Sequence, residues 1–259
     1  RAPDEFAHAK YSAMRERSVG LGVMGLHSYF QQKNIPFGSV MSKVWNKKIF
    51  KNIQEKVDLA SVSLAEERGA CPDAAEYGMK ERFSNKTAIA PTASISIICG
   101  GSSPGIEPIA ANSYTHKTLS GSFNVRNKYL KKILQKHKKD TDDVWSTITT
   151  NQGSVAHLDF LTPEEKDTFK TAFEIDQRWI VELGADRTPH ISQAQSINIF
   201  IPADIHKKDL HDLHFQAWKK GLKSLYYCRS KSIQRAENVN KGSSTDVTKN
   251  VYSQGQESN

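Results

Sequence analysis

The stretch Thr87-Ala88-Ile89-Ala90-Pro91-Thr92-Ala93-Ser94-Ile95-Ser96 governs how the rest of the chain is read. Its first four residues form a short apolar strand that ends at a proline, which has no N–H to continue a ladder. A polar loop follows, with hydroxyls at Thr92, Ser94 and Ser96. Amides and hydroxyls in a turn just after a strand can hold phosphate oxygens without a cation. An ordinary serine/threonine turn has the same composition, and the residues alone favour that simpler reading.

Outward from this strand, the patterning alternates between helix and strand. Upstream, Ala13, Val19, Val23, Leu26 and Phe30 recur near helical spacing and predict one helix over 8–32. A second helix is expected from Ser42, as its cap, to Glu67, with Phe50, Ile53, Val57, Ala60 and Leu64 as an apolar stripe. Gly69 and Pro72 stop it. Downstream, 126–139 reads as a basic helix. Pro163 starts another, with Glu164 and Glu165 in its first turn and Phe169, Phe173, Trp179, Ile180 and Leu183 as its buried face. Residues 196–201 alternate as a strand, 209–221 is a helix, and 224–227 is a last strand. Strands separated by helices imply an α/β domain with parallel pairing.

Tyr226 and Tyr227 sit on that last strand, where neighbouring side chains should face opposite sides. Two packed aromatics using their hydroxyls as polar handles would account for them. Gly20-Leu21-Gly22-Val23-Met24-Gly25 matches the dinucleotide pattern GxGxxG, but the charged Met14-Arg15-Glu16-Arg17 precedes it where an apolar strand is needed. A Rossmann-type dehydrogenase is therefore poorly supported, and the small residues fit close helix packing better.

The 259 residues suffice for one large domain or two small ones. The formal charge of +8 favours anionic partners or a solvated lysine-rich surface. Part of it comes from Lys131, Lys132, Lys136, Lys138 and Lys139, with no aromatic ladder of the kind single-stranded nucleic acid needs. Cys71, Cys99 and Cys228 are far apart and form no metal-type cluster, so no metal site is expected. No apolar run approaches the roughly 20 residues of a membrane span. No membrane partner is expected, and the odd cysteine count points to a reducing cytoplasm. Arg1 opens the chain and helix-like sequence follows at once, which suggests a cut or split chain.

Six segments together resemble one family. They are Arg15-Glu16-Arg17-Ser18-Val19-Gly20-Leu21-Gly22, Arg68-Gly69-Ala70-Cys71-Pro72, Pro91-Thr92-Ala93-Ser94, Gly105-Ile106-Glu107-Pro108, Ser192-Gln193-Ala194-Gln195-Ser196-Ile197-Asn198 and Gly221-Leu222-Lys223-Ser224-Leu225-Tyr226-Tyr227. In this order and with these gaps, over roughly 10–230, they resemble the C-terminal part of the large, catalytic subunit of class I ribonucleotide reductases. The resemblance implies an α/β fold, the C-terminal half of a ten-stranded α/β barrel, over residues 1–234. Residues 235–259 are then a flexible polar tail.

The resemblance also implies the chemistry: reduction of ribonucleoside diphosphates at the 2′ carbon by a thiyl radical. It assigns Thr92, Ala93, Ser94 and Ile95 to the substrate diphosphate. The family usually has a hydroxyl residue where Ile95 stands, so an amide contact is expected there. It maps the radical-relay tyrosines onto Tyr226 and Tyr227. No cofactor is expected to bind directly, the radical coming from a partner small subunit. The family's finger loop, with its thiyl cysteine, has no counterpart here, nor does the C-terminal redox cysteine pair. Expected partners are therefore an N-terminal large-subunit fragment carrying that cysteine, the small subunit, the diphosphate substrate, and a reductant such as thioredoxin or glutaredoxin. The competing expectation is a truncated or decayed fragment that only keeps the fold or binds nucleotide.

Overall fold

The computed structural model describes residues 3–118 and 121–230. The polar tail expected from 235 lies outside the described residues. In chain order, the elements are α1 (Ala7–Glu16), α2 (Leu26–Gln32), α3 (Val40–Arg68), α4 (Pro72–Glu76) and α5 (Ala93–Ile98). A hairpin of β1 (Ser113–Thr118) and β2 (Gly121–Arg126) follows, then α6 (Lys128–Lys136), α7 (Asp142–Thr150), α8 (Pro163–Thr168) and α9 (Gln177–Arg187). β3 (Ile199–Ile201), α10 (Lys207–Lys219) and β4 (Cys228–Ser230) complete it.

The helix expected over 8–32 is two helices. Arg17 takes a left-handed backbone at φ 49° and closes α1, and Gly25 at φ 85° opens α2. Between them the chain is extended. Leu21 bridges Thr87 in parallel, and a Cβ on Gly22 would stand 2.6 Å from the Ala88 carbonyl oxygen. The small residues thus serve strand-to-strand contact, where helix-to-helix packing was expected. The cap of α3 lies three residues before the expected one. Ser39 is the cap, and Ser42 is its reciprocal partner in a capping box. The helix expected from Pro163 is also two, α8 and α9. Its supposed single face splits accordingly: Phe169 packs in one core, Ile180 and Leu183 in another.

Four extended segments lie side by side, all parallel. Leu21 bridges Thr87, Ile89 bridges Gln195, and β3 pairs with β4. The segment 194–201 is the third of the four and links the outer two pairs. Its start flanks Ile89, through Ile89 N to Ala194 O at 3.1 Å and Ser196 N to Ile89 O at 2.9 Å. Its end carries β3, whose register pairs Ile199 with Cys228 and Ile201 with Ser230. The expected parallel α/β architecture is thus present.

Helices cover the array. The main core gathers Phe30, Phe37, Phe50, Ile89, Ile106, Leu183 and Ile197. Each such side chain removed from water contributes about 1.5–3 kcal/mol. A smaller core beside it joins Val181 of α9 and Ile199 of β3 to Leu213 and Ala217 of α10. The helix expected over 126–139 ends at Lys136, so Lys131, Lys132 and Lys136 lie on the exposed face of α6 and Lys138 and Lys139 follow it. Leu130 and Leu134 are fully buried with Trp145, Ile148 and Phe169 in a separate core.

Candidate functional site

Thr92 carries the turn from the strand into α5. It adopts a left-handed backbone at φ 52°, and its Oγ1 accepts the Gly105 amide at 2.7 Å. Gly105 must come close for this: at φ 47°, a Cβ there would lie 3.0 Å from the Ala90 carbonyl oxygen. The expected polar loop 92–96 is therefore a short helix. Ser96 N donates to Thr92 O at 2.9 Å, and the buried Ser96 hydroxyl donates to Ala93 O at 2.9 Å. Ala93, Ser94 and Ile95 form the first turn, where amides have no carbonyl one turn upstream to bond. All three are exposed, and the Ile95 side chain is 56% exposed. The exposed first turn offers three amides without a carbonyl one turn upstream and the Ser94 hydroxyl, a set suited to phosphate oxygens.

The Gly105 turn leads directly to Glu107, which is buried. Its carboxylate Oε1 accepts a short hydrogen bond from Asn198 Nδ2. Burial pushes the Glu107 carboxyl up to about 7, partly opposed by the Arg229 guanidinium and by the Asn198 amide. The other end of Asn198, Oδ1, accepts the Tyr227 amide at 3.0 Å. The Gly105–Pro108, Ser192–Asn198 and Gly221–Tyr227 segments thus meet at one point.

The tyrosines do not alternate. Their ring centroids are 4.1 Å apart, both rings are about half exposed, and they lie just ahead of β4 instead of on a strand 224–227. The cause is a local register slip. With Ile199 paired to Cys228, the Ile197 carbonyl should receive the Tyr227 amide. It receives the Tyr226 amide instead, at 2.8 Å, while Tyr227 O still accepts Ile199 N at 3.0 Å. One extra residue is thereby accommodated, as in a bulge, and consecutive side chains come to the same side. The Tyr226 phenol is pushed above its ordinary range, first by its hydrogen bond with the Tyr227 hydroxyl. Arg229 stands over the Tyr227 ring, 5.9 Å from its centroid.

The sequence-derived residues thus form two exposed clusters, Thr92–Ile95 and Tyr226–Tyr227, joined through Gly105, Glu107 and Asn198. Glu107 and Asn198 lay inside the quoted motif segments without an assigned role, and Arg229 lay outside them. Cys228 lies on β4 and is exposed, as is Cys99, whereas Cys71 is buried. Among the described residues, no group of three or more His, Cys, Asp or Glu could hold a metal ion. No helix among them is long and apolar enough to cross a membrane.

The ribonucleotide reductase barrel-domain model matches residues 3–81 and 73–228. The ribonucleoside-diphosphate reductase large subunit of Invertebrate iridescent virus 6 is 47% identical over 243 residues, covering 92% of this chain and 25% of the relative. That of Invertebrate iridescent virus 3 is 43% identical over 247 residues, covering 94% and 39%. The Caenorhabditis elegans large subunit is 33% identical over 261 residues, covering 88% and 33%. Among solved structures, the Actinobacillus ureae class Id ribonucleotide reductase alpha subunit superimposes with a TM-score of 0.79 at 41% identity, covering 86% of this chain and 40% of that one. The chain spans between a quarter and two fifths of the length of these relatives.

Proposed function

The chain belongs to the ribonucleotide reductase barrel-domain family, and from that premise we propose that it forms the C-terminal barrel part of a ribonucleoside-diphosphate reductase large subunit. In this reading the enzyme replaces the 2′ hydroxyl of a ribonucleoside diphosphate by hydrogen through thiyl-radical chemistry. The amides of Ala93, Ser94 and Ile95 and the Ser94 hydroxyl hold the substrate diphosphate. Thr92 shapes the turn that presents them. Tyr226 and Tyr227 pass the radical, each phenol losing an electron and a proton together.

The thiyl cysteine is supplied by an N-terminal large-subunit fragment on a separate chain. The radical originates in a small subunit, and thioredoxin or glutaredoxin returns the electrons. The assembled enzyme works in the cytoplasm, supplying deoxyribonucleotides for DNA replication.

One observation carries the relay: the two phenols touch each other and are both half exposed. A pair kept only for packing gains most by full burial. A relay needs one phenol within reach of its neighbour and open to a partner. Tyr226→Phe and Tyr227→Phe, each in the assembled enzyme, are expected to abolish turnover while nucleotide binding persists. Normal turnover in either variant overturns the relay.

A further inference from the structure

We propose that Asn198, oriented by Glu107, is the positioning residue that holds Tyr226 and Tyr227 ring to ring. The purpose of that arrangement rests on the relay reading above; the geometry does not.

Asn198 is fully buried and uses both ends of its amide. Nδ2 donates to Glu107 Oε1, and Oδ1 accepts the Tyr227 amide at 3.0 Å. Glu107 as a carboxylate, which only accepts, and the Tyr227 N–H, which only donates, together decide which end faces which way. With the amide turned over, Nδ2 would meet the Tyr227 N–H, donor against donor, and Oδ1 would meet the carboxyl. The Ile197 carbonyl that regular pairing would give to Tyr227 is taken by Tyr226. Without Asn198, the Tyr227 amide would lack this acceptor, and regular pairing would compete for the Ile197 carbonyl. Regular pairing sends adjacent side chains to opposite sides and parts the rings. The side-chain amide therefore substitutes for a strand neighbour and stabilises the irregular register.

The test is nuclear magnetic resonance on the full chain with ring-labelled tyrosine, following the Tyr226 phenol through its titration and the Tyr226–Tyr227 ring contact. Single Tyr→Phe variants assign the signals. In the parent, Tyr226 titrates above an ordinary tyrosine because of Tyr227. Asn198→Leu is expected to abolish the ring contact and return Tyr226 to the ordinary range. Glu107→Gln keeps an acceptor for Nδ2, and both signals are expected to survive. A ring contact and titration unchanged in folded Asn198→Leu overturn the proposal, as does their loss in folded Glu107→Gln.

Asn198→Asp, nearly isosteric, decides the matter if Asn198→Leu does not fold. The introduced carboxyl can share one proton with Glu107, with Arg229 the nearby cation. The aspartate keeps an acceptor oxygen for the Tyr227 amide, so the ring contact should hold at low pH, where the two carboxyls share the proton. Loss of the contact there in the folded variant overturns the proposal. None of these readouts needs turnover. If the phenylalanine variants turned over normally, the relay would fall and the positioning result would stand.

Discussion

The Thr92 hydroxyl accepts the Gly105 amide at 2.7 Å, thirteen positions along the chain. That bond ties the start of α5 to the turn that delivers Glu107, and so joins the two exposed clusters. Thr92 holds it from a left-handed backbone, a conformation costing roughly 1–2 kcal/mol for a residue with a Cβ.

Thr92→Ala keeps that backbone cost and leaves the Gly105 amide without its acceptor. A stability loss of about 1–3 kcal/mol is expected, with weaker binding of a nucleoside diphosphate. Thr92→Ser keeps the oxygen and should recover most of both. Urea unfolding and calorimetric titration with the diphosphate check this. Unchanged stability in the alanine variant would refute the tie.

Gly22 faces the Ala88 carbonyl too closely for any side chain, a Cβ there standing at 2.6 Å. Gly22→Ala is expected to destabilise by about 1–3 kcal/mol, in the manner of overpacking. Gly20→Ala, whose Cβ would meet the Ala88 Cβ at 3.3 Å, should cost less. Urea midpoints of the two variants give the order directly, and equal losses would contradict the extended pairing of this segment.

Glu107 makes stability depend on pH in the sense opposite to most carboxylates. Its folded-state value is raised from 4.5 to about 7, so the folded chain holds the proton more tightly. Its contribution is fully present below about 4.5, falls as pH rises, and is lost once pH passes about 7. Glu107→Gln cannot ionise. The variant should therefore gain on the parent through this window and keep a constant advantage above it. Unfolding midpoints measured across the window test this, and a gap that widens toward acid would have the wrong sign.

Arg187 is buried, with its guanidinium on Gln195 Oε1 at 2.5 Å, on Asn46 Oδ1 at 3.3 Å, and over the Phe50 ring. Burial lowers it to about 9. Gln195→Leu removes the nearest acceptor from a buried cation and should cost about 3 kcal/mol. Thermal or urea unfolding measures it. A loss below about 1 kcal/mol would mean that Gln195 is not its principal partner.

The parallel α/β arrangement was legible because 87–90 and 196–201 carry apolar strand patterns between helix-like segments. Element breaks were less so. Nothing in the apolar period over 8–32 announces that Arg17 turns left-handed, because the cause is the pairing of Leu21 with Thr87, far along the chain. The hairpin β1–β2 is exposed along most of its described side chains and has no clean buried alternation to read. The tyrosine pair could be located by resemblance but not oriented. Its same-side geometry depends on Asn198 taking the Tyr227 amide, a contact between residues 29 positions apart. Glu107 was hidden for the same reason, since its partners come from two other segments.

The most direct test of the central claim is ribonucleoside-diphosphate reduction by this chain together with the small subunit and a reductant, with and without a large-subunit fragment carrying the finger-loop cysteine. No deoxynucleotide is expected from the mixture lacking that fragment, and sustained product once it is added. Product formed without any added cysteine-bearing chain would contradict the claim, as would a stably assembled mixture containing the fragment that yields none.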